Sequence, residues 1–176
     1  MVVAVGLLGV SLGVAALTFK TLDDTYPLTD TVLDGASGFL WFMAGAFAHL
    51  RRPENRVGVL MVAVGVGWFA ENLQLSRIPV VFSIGLLLTA ASGGFLVHLV
   101  PAFPTERLES PLQRLLAAAA YPTVFAVVPV AALFYDRQGA PSNLLLIRSD
   151  LPLAGALSRA TDAVGVVVAA AVVMVR

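Results

Sequence analysis

The chain has 176 residues, of which 59% are hydrophobic and only 12% charged, and its mean hydropathy is +0.89. Soluble domains run at about 45–50% apolar and about 25% charged, so this balance points to an all-α, polytopic membrane protein forming one membrane domain over 1–176. Eleven basic residues cancel eleven acidic ones, which leaves no global field to draw nucleic acid. The absence of Cys excludes disulfides, thiolate chemistry and Cys-ligated zinc, and two His are too few for a structural metal site.

A spanning helix needs about 20 predominantly apolar residues. Six stretches qualify in chain order: 2–19, 33–50, 57–75, 78–100, 111–135 and 160–176. The first lacks the basic n-region and the small-residue cleavage site of a secretory signal, so it reads as a retained helix. Asp34 and Asp162 fall at the starts of the second and sixth spans, where a carboxylate suits the helix dipole.

The clean apolar part of the third span, 57–70, covers about 21 Å at 1.5 Å per residue, short of a core about 30 Å thick. The helix is therefore predicted to continue through Glu71, Asn72 and Gln74, with these groups at the interface or facing other helices. Glu71 sits toward a helix C-terminus, where the dipole disfavours a carboxylate. That makes it a candidate signal-responsive residue together with Asp34 and Asp162, with Arg77 or Arg159 as candidate partners.

Between the second and third spans, Arg51 and Arg52 close one helix, Pro53 stops it, and Asn55 is a candidate N-cap for the next. Arg51, Arg52 and Arg56 make this the densest basic stretch in the chain. Arg107 and Arg114 mark the connection between the fourth and fifth spans. Because short cytoplasmic loops are rich in Lys and Arg, both connections are predicted to lie inside, and both termini with them. The outer loop 136–159 holds three arginines, which runs against that rule. Tyr26, Trp68, Phe69, Phe134 and Tyr135 are placed near the outer interface, where aromatic residues gather.

Ser110-Pro111-Leu112-Gln113 reads as a capping box opening the fifth span. Inside that span, Pro122 and Pro129 lie seven apart on nearly one face and predict a bend packed on protein. Gly9, Gly13, Gly58, Gly65, Gly67, Gly93 and Gly94 offer close approach of backbones. His49-Leu50 before Pro53–Arg56 echoes His98-Leu99 before Pro104–Arg107; duplicated hairpins or shared turn chemistry both account for it. His49 and His98 are candidates for a proton switch or for plain hydrogen bonding at inner helix ends.

Catalytic signatures are missing: there is no phosphate-binding loop, no nucleophile elbow and no zinc-protease motif. No enzyme activity and no cofactor are expected of the chain as it stands. Two segments carry a resemblance. Arg51, Arg52, Pro53, Asn55, Arg56, Gly58, Leu60 and Met61 match an R-R-P-x-N-R-x-G-x-L-M turn. His98, Leu99, Ala102, Phe103, Pro104, Arg107 and Leu108 match H-L-x-x-A-F-P-x-G-R-L, with Glu106 where Gly is usual. Together they resemble the membrane-embedded N-terminal region of two-component sensor histidine kinases common in high-GC Gram-positive bacteria, over about residues 41–135.

The resemblance implies a sensory input region in the plasma membrane. It would relay a membrane or extracellular stimulus through helix repacking to a cytoplasmic kinase core. Homodimerisation and a response regulator would come through that core. No phosphoacceptor His or ATP site follows the last span, so a truncated chain or isolated input region is expected. The alternative from the residues alone is a small transporter or channel subunit, or a membrane assembly protein.

Overall fold

The computed structural model describes residues 2–23, 25–103, 107–137 and 141–174. They form α1 (Val2–Thr21), α2 (Leu28–Arg51), α3 (Val57–Glu71) with a 3₁₀ turn at Asn72–Leu75, α4 (Pro79–Leu88), α5 (Ala91–Ala102), α6 (Pro111–Pro122), a π-helical turn at Thr123–Val127, α7 (Val128–Ala132) and α8 (Leu151–Met174). Among the described residues there is no strand. Among the described residues, five segments are long and apolar enough to cross a bilayer: Leu28–Arg51, Val57–Leu75, Pro79–Ala102, Pro111–Ala132 and Leu151–Ala171. The shorter apolar stretch Leu7–Thr21 lies within α1.

On α2, small residues make up most of the buried face and most large ones face out. The buried face of α2 is Thr31, Gly35, Gly38, Phe42 and Gly45, the 3- and 4-residue spacing of one helical stripe. Leu28, Leu33, Leu40, Met43 and Leu50 on the same helix are exposed. That is the pattern of helices in lipid, where apolar side chains have no reason to leave the surface and small residues let backbones meet. A Cβ on Gly45 would stand 2.5 Å from the Val62 nitrogen, and one on Gly65 would stand 2.7 Å from the Phe42 nitrogen. The α2–α3 pair is thus held at backbone contact. Phe69, fully buried, fills the space beside Gly13 and Gly38 and packs on Phe39 at 4.8 Å.

Consecutive spans alternate in direction, which gathers the connections at two ends. Val57 at the start of α3 packs with Leu99 near the end of α5, so the arginine-rich turn and the end of α5 share one end, the basic-turn end. At the opposite, far end, Arg137 lies 3.7 Å from Asp23. Hydrogen bonds from Thr25 and the charge of Arg137 hold the Asp23 carboxyl below the usual carboxylate range.

Several boundaries differ from the sequence expectation. α2 starts at residue 28 rather than 33, because Pro27 presets the entry and its carbonyl accepts from Asp30 and Thr31. Asp34 is therefore two turns inside the helix rather than at its start. α8 starts at residue 151 rather than 160: the Asp150 side chain accepts from Leu153 N–H at 3.1 Å, and its carbonyl from Ala154 N–H. Asp162 is consequently three turns inside α8, and the far-end segment is 133–150 rather than 136–159. The expected end of this span at Arg176 lies outside the described residues.

The fourth span is broken between α4 and α5. The Thr89 hydroxyl bonds back to the Gly85 and Leu86 carbonyls, competing with the helical ladder. The bend predicted from Pro122 and Pro129 takes the form of the π turn between them, where Val128 N–H reaches back five residues to Thr123 O. This span ends at Ala132 rather than at 135.

Candidate functional site

Two polar clusters lie between the spans toward the far end, both built on the last turns of α3. In the first, Asp34 of α2 accepts from Trp68 Nε1 at 2.9 Å and Asn72 Nδ2 at 2.8 Å, and pairs with Lys20 Nζ of α1 at 3.2 Å. Lys20 also lies over the Tyr26 ring at 5.0 Å. One carboxylate thus ties together three helices. The arrangement satisfies a charge that apolar surroundings would otherwise disfavour. Trp68 and Phe69 are turned into the protein, so these two of the five aromatic residues placed near the outer interface are not belt residues facing lipid.

In the second cluster, Glu71 Oε1 accepts from Ser92 N–H at 3.0 Å and from the Ser92 hydroxyl. Ser92 is the second residue of α5, which begins right after the break at Thr89–Ala90. A helix that starts within a span leaves N–H groups without partners, and lipid cannot supply them. Glu71 is the cap, delivered from another helix. The positive end of the α5 dipole offsets the unfavourable position of this carboxylate at the C-terminus of its own helix. The expected partners Arg77 and Arg159 do not take this place: Arg77 faces Asp23 and Arg159 is exposed on α8.

Asp162 joins neither cluster. It lies on α8 beside two crevices described below. The three acids singled out in the sequence therefore separate into two structural ties and one unpartnered carboxylate. Asn72, Ser92, Lys20 and Trp68 complete the site without having been singled out. Their signal was the recurrence of polar groups in otherwise apolar helices.

The turn motifs sit at the basic-turn end. Arg51 stacks on Phe47 at 4.7 Å. Arg52 N–H closes α2 on Ala48 O at 3.0 Å, and its carbonyl accepts from Asn55 N–H across Pro53. Arg56, rather than Asn55 as expected, stands at the N-cap position of α3; Asn55, one residue earlier, still accepts from Val57 N–H through its Oδ1 at 2.8 Å. His98 Nδ1 and the Tyr121 hydroxyl are 2.8 Å apart, linking α5 to α6 beside Phe95 and Phe125. His49 is different, for its Nδ1 is buried with no hydrogen-bond partner among the described residues.

Phe103 ends α5 in extended conformation, its N–H on Leu99 O. Pro104 and Glu106 lie outside the described residues, and Arg107 is exposed just past them. The capping box is formed as read: Gln113 N–H donates to Ser110 Oγ at 3.1 Å and Gln113 Oε1 accepts from Ser110 N–H at 3.1 Å.

Asn143, buried in the 133–150 segment, donates to Ala132 O at 2.7 Å and Tyr135 O at 2.8 Å. It closes the end of α7 in the absence of a glycine cap. Among the described residues no group of three or more His, Cys, Asp or Glu could hold a metal ion. Compared with protein-family models, with curated proteins and with solved structures, the chain finds no match.

Proposed function

We propose that the chain is the transmembrane input region of a two-component sensor histidine kinase in the plasma membrane. It passes a membrane or extracellular stimulus to a cytoplasmic kinase core by repacking its helices. The observation that carries this reading is the uneven hold on the helices. In the span Val57–Leu75 seven residues are buried, against three in the longer Leu151–Ala171. α8 is thus the element most easily shifted relative to a fixed frame, and it is the last span before any following kinase core.

Signalling requires two packings close in free energy and a stimulus that favours one. A helix with few buried contacts meets that requirement at low cost. The R-R-P-x-N-R turn and the H-L-x-x-A-F-P segment, which carry the resemblance, end at the basic-turn end. By the rule on Lys and Arg that end is cytoplasmic, so the polar ties on Glu71 and Asp34 lie toward the exterior. In this reading dimerisation and contact with a response regulator belong to the kinase core.

The transporter reading draws on the break between α4 and α5, because interrupted helices hold substrates in transporters. Here the exposed N-terminus of α5 is already filled by the protein's own Glu71, which weighs against that use. The coding sequence beyond Arg176 tests the proposal. An in-frame phosphoacceptor helix and ATP-binding domain are the expected result, and a stop codon directly after the last span would sink it.

A further inference from the structure

α8 does not close against α5 and the π turn. Between them runs a crevice of about 540 Å³, lined by Gly93, Gly94, Val97, Val124, Gly165 and Asp162 among others. Its side chains are apolar apart from Thr123, Thr161 and Asp162. Both threonine hydroxyls are engaged with their own helices, on Ala119 O at 2.9 Å and Leu157 O at 3.0 Å. Asp162 is the polar group left over, and among the described residues it makes no hydrogen bond or ion pair.

Two glycines show that the space is not a by-product of tight packing. A Cβ added to Gly93 or Gly165 would meet nothing within 4 Å, whereas one on Gly45, Gly58 or Gly65 would run into backbone of the facing helix. A second pocket of about 230 Å³ shares Ala90, Thr161 and Asp162 and extends to Gln74 and Tyr135 at the far end. Asp162 thus stands where a more polar approach from the far end meets an apolar slot. The slot continues along α8 to Ala169, about 10 Å further at 1.5 Å per residue.

We infer that this crevice binds an amphiphile with one cationic head and one apolar chain, the head at Asp162 and the chain along Gly93, Val97 and Gly165. The volume and the ratio of apolar wall to placed polar groups are those of a ligand site. Charge complementarity selects the occupant. An acid eleven residues into a spanning helix calls for a positive partner; Asp162 is exposed, and among the described residues no cation pairs with it, for Arg159, one turn before it, turns its guanidinium back toward Gly155. A neutral lipid tail would leave the carboxylate bare, and an anionic amphiphile would be repelled.

The inference builds on the sensory reading by giving the input region a ligand class, and its test keeps the two apart. The full chain, in nanodiscs of phosphatidylcholine, is titrated with radiolabelled decyltrimethylammonium, with decanol and decyl sulfate as competitors. Saturable binding is expected, with both competitors at least about tenfold weaker, since a charged contact is worth that much or more. Asp162→Asn should weaken binding by about tenfold or more. Gly165→Leu should weaken it comparably by filling the slot, at a position where an added Cβ meets nothing within 4 Å.

Absence of saturable binding would overturn the inference, as would equal binding of decanol or unchanged binding in either variant. So would a Val166→Cys chain that crosslinks into a dimer in the membrane and excludes the amphiphile, since the occupant would then be a second copy. Binding that leaves kinase output unchanged in the full-length parent would instead sink the sensory reading and leave the site standing.

Discussion

The α2–α3 pair and the α8 face use glycine in opposite ways. Between α2 and α3, Gly38, Gly45, Gly58 and Gly65 bring two backbones into contact, and any side chain there meets main-chain atoms or a buried ring. On α8 and the facing part of α5, Gly165 and Gly93 border open space. The same residue type builds a rigid frame on one side and leaves a slot on the other. Counting small residues along a helix therefore does not reveal which surface is a joint and which is a recess; their partners decide. The acids follow the same division, with Asp34 and Glu71 tied to the frame and Asp162 beside the slot.

This contrast can be broken most forcefully at Asp34. Asp34→Ala leaves the Lys20 ammonium, the Trp68 indole N–H and the Asn72 amide without their acceptor. A loss of about 3–5 kcal/mol is expected, read as reversible unfolding in detergent; a loss under about 1 kcal/mol would show that the tie holds nothing. Next comes a pair of equal substitutions. Gly65→Leu should cost about 3 kcal/mol by forcing α2 and α3 apart, while Gly165→Leu should stay within about 0.5 kcal/mol of wild type. Similar losses in both would erase the distinction between frame and slot.

Ser92→Ala should cost about 1 kcal/mol by removing the hydroxyl from Glu71 while keeping the backbone N–H bond. Amide exchange at Ser92 and Gly93 should then quicken before exchange in α3 does. The smallest effect sharpens the account of α6: Ser110→Ala should cost about 0.5–1 kcal/mol through the capping box, with fraying confined to the first turn of α6 by the same exchange measurement.

The spans themselves could be read from apolar length, and the capping box from four residues, because both depend on neighbours in sequence. The starts of α2 and α8 are hidden in the sequence for an instructive reason. Pro27 and Ser149-Asp150-Leu151-Pro152 are local start signals, yet the polar residues Asp30, Asp34, Ser158 and Asp162 just inside each helix read as loop or helix edge. Of these, Asp34 is absorbed inside the bundle by partners on other helices. The pairing of Glu71 with Ser92 spans 21 residues, and that of Asp34 with Asn72 spans 38. Neither follows from spacing along one helix. The break at Thr89–Ala90 cannot be read from the sequence, because a hydroxyl bonded back to a carbonyl one turn earlier also sits inside the unbroken α1, α2 and α8.

That break gives the bundle a mechanical property. α4 and α5 have 10 and 12 residues, about 15 and 18 Å of rod, joined at a bend. The 24-residue α2 is a single rod and can answer a thicker or thinner bilayer only by tilting. If the span straightens or folds at Thr89–Ala90, each ångström of mismatch it absorbs is worth only a fraction of a kcal/mol. The thickness of the host bilayer would then set the joint angle, and with it the distance from α5 to α8.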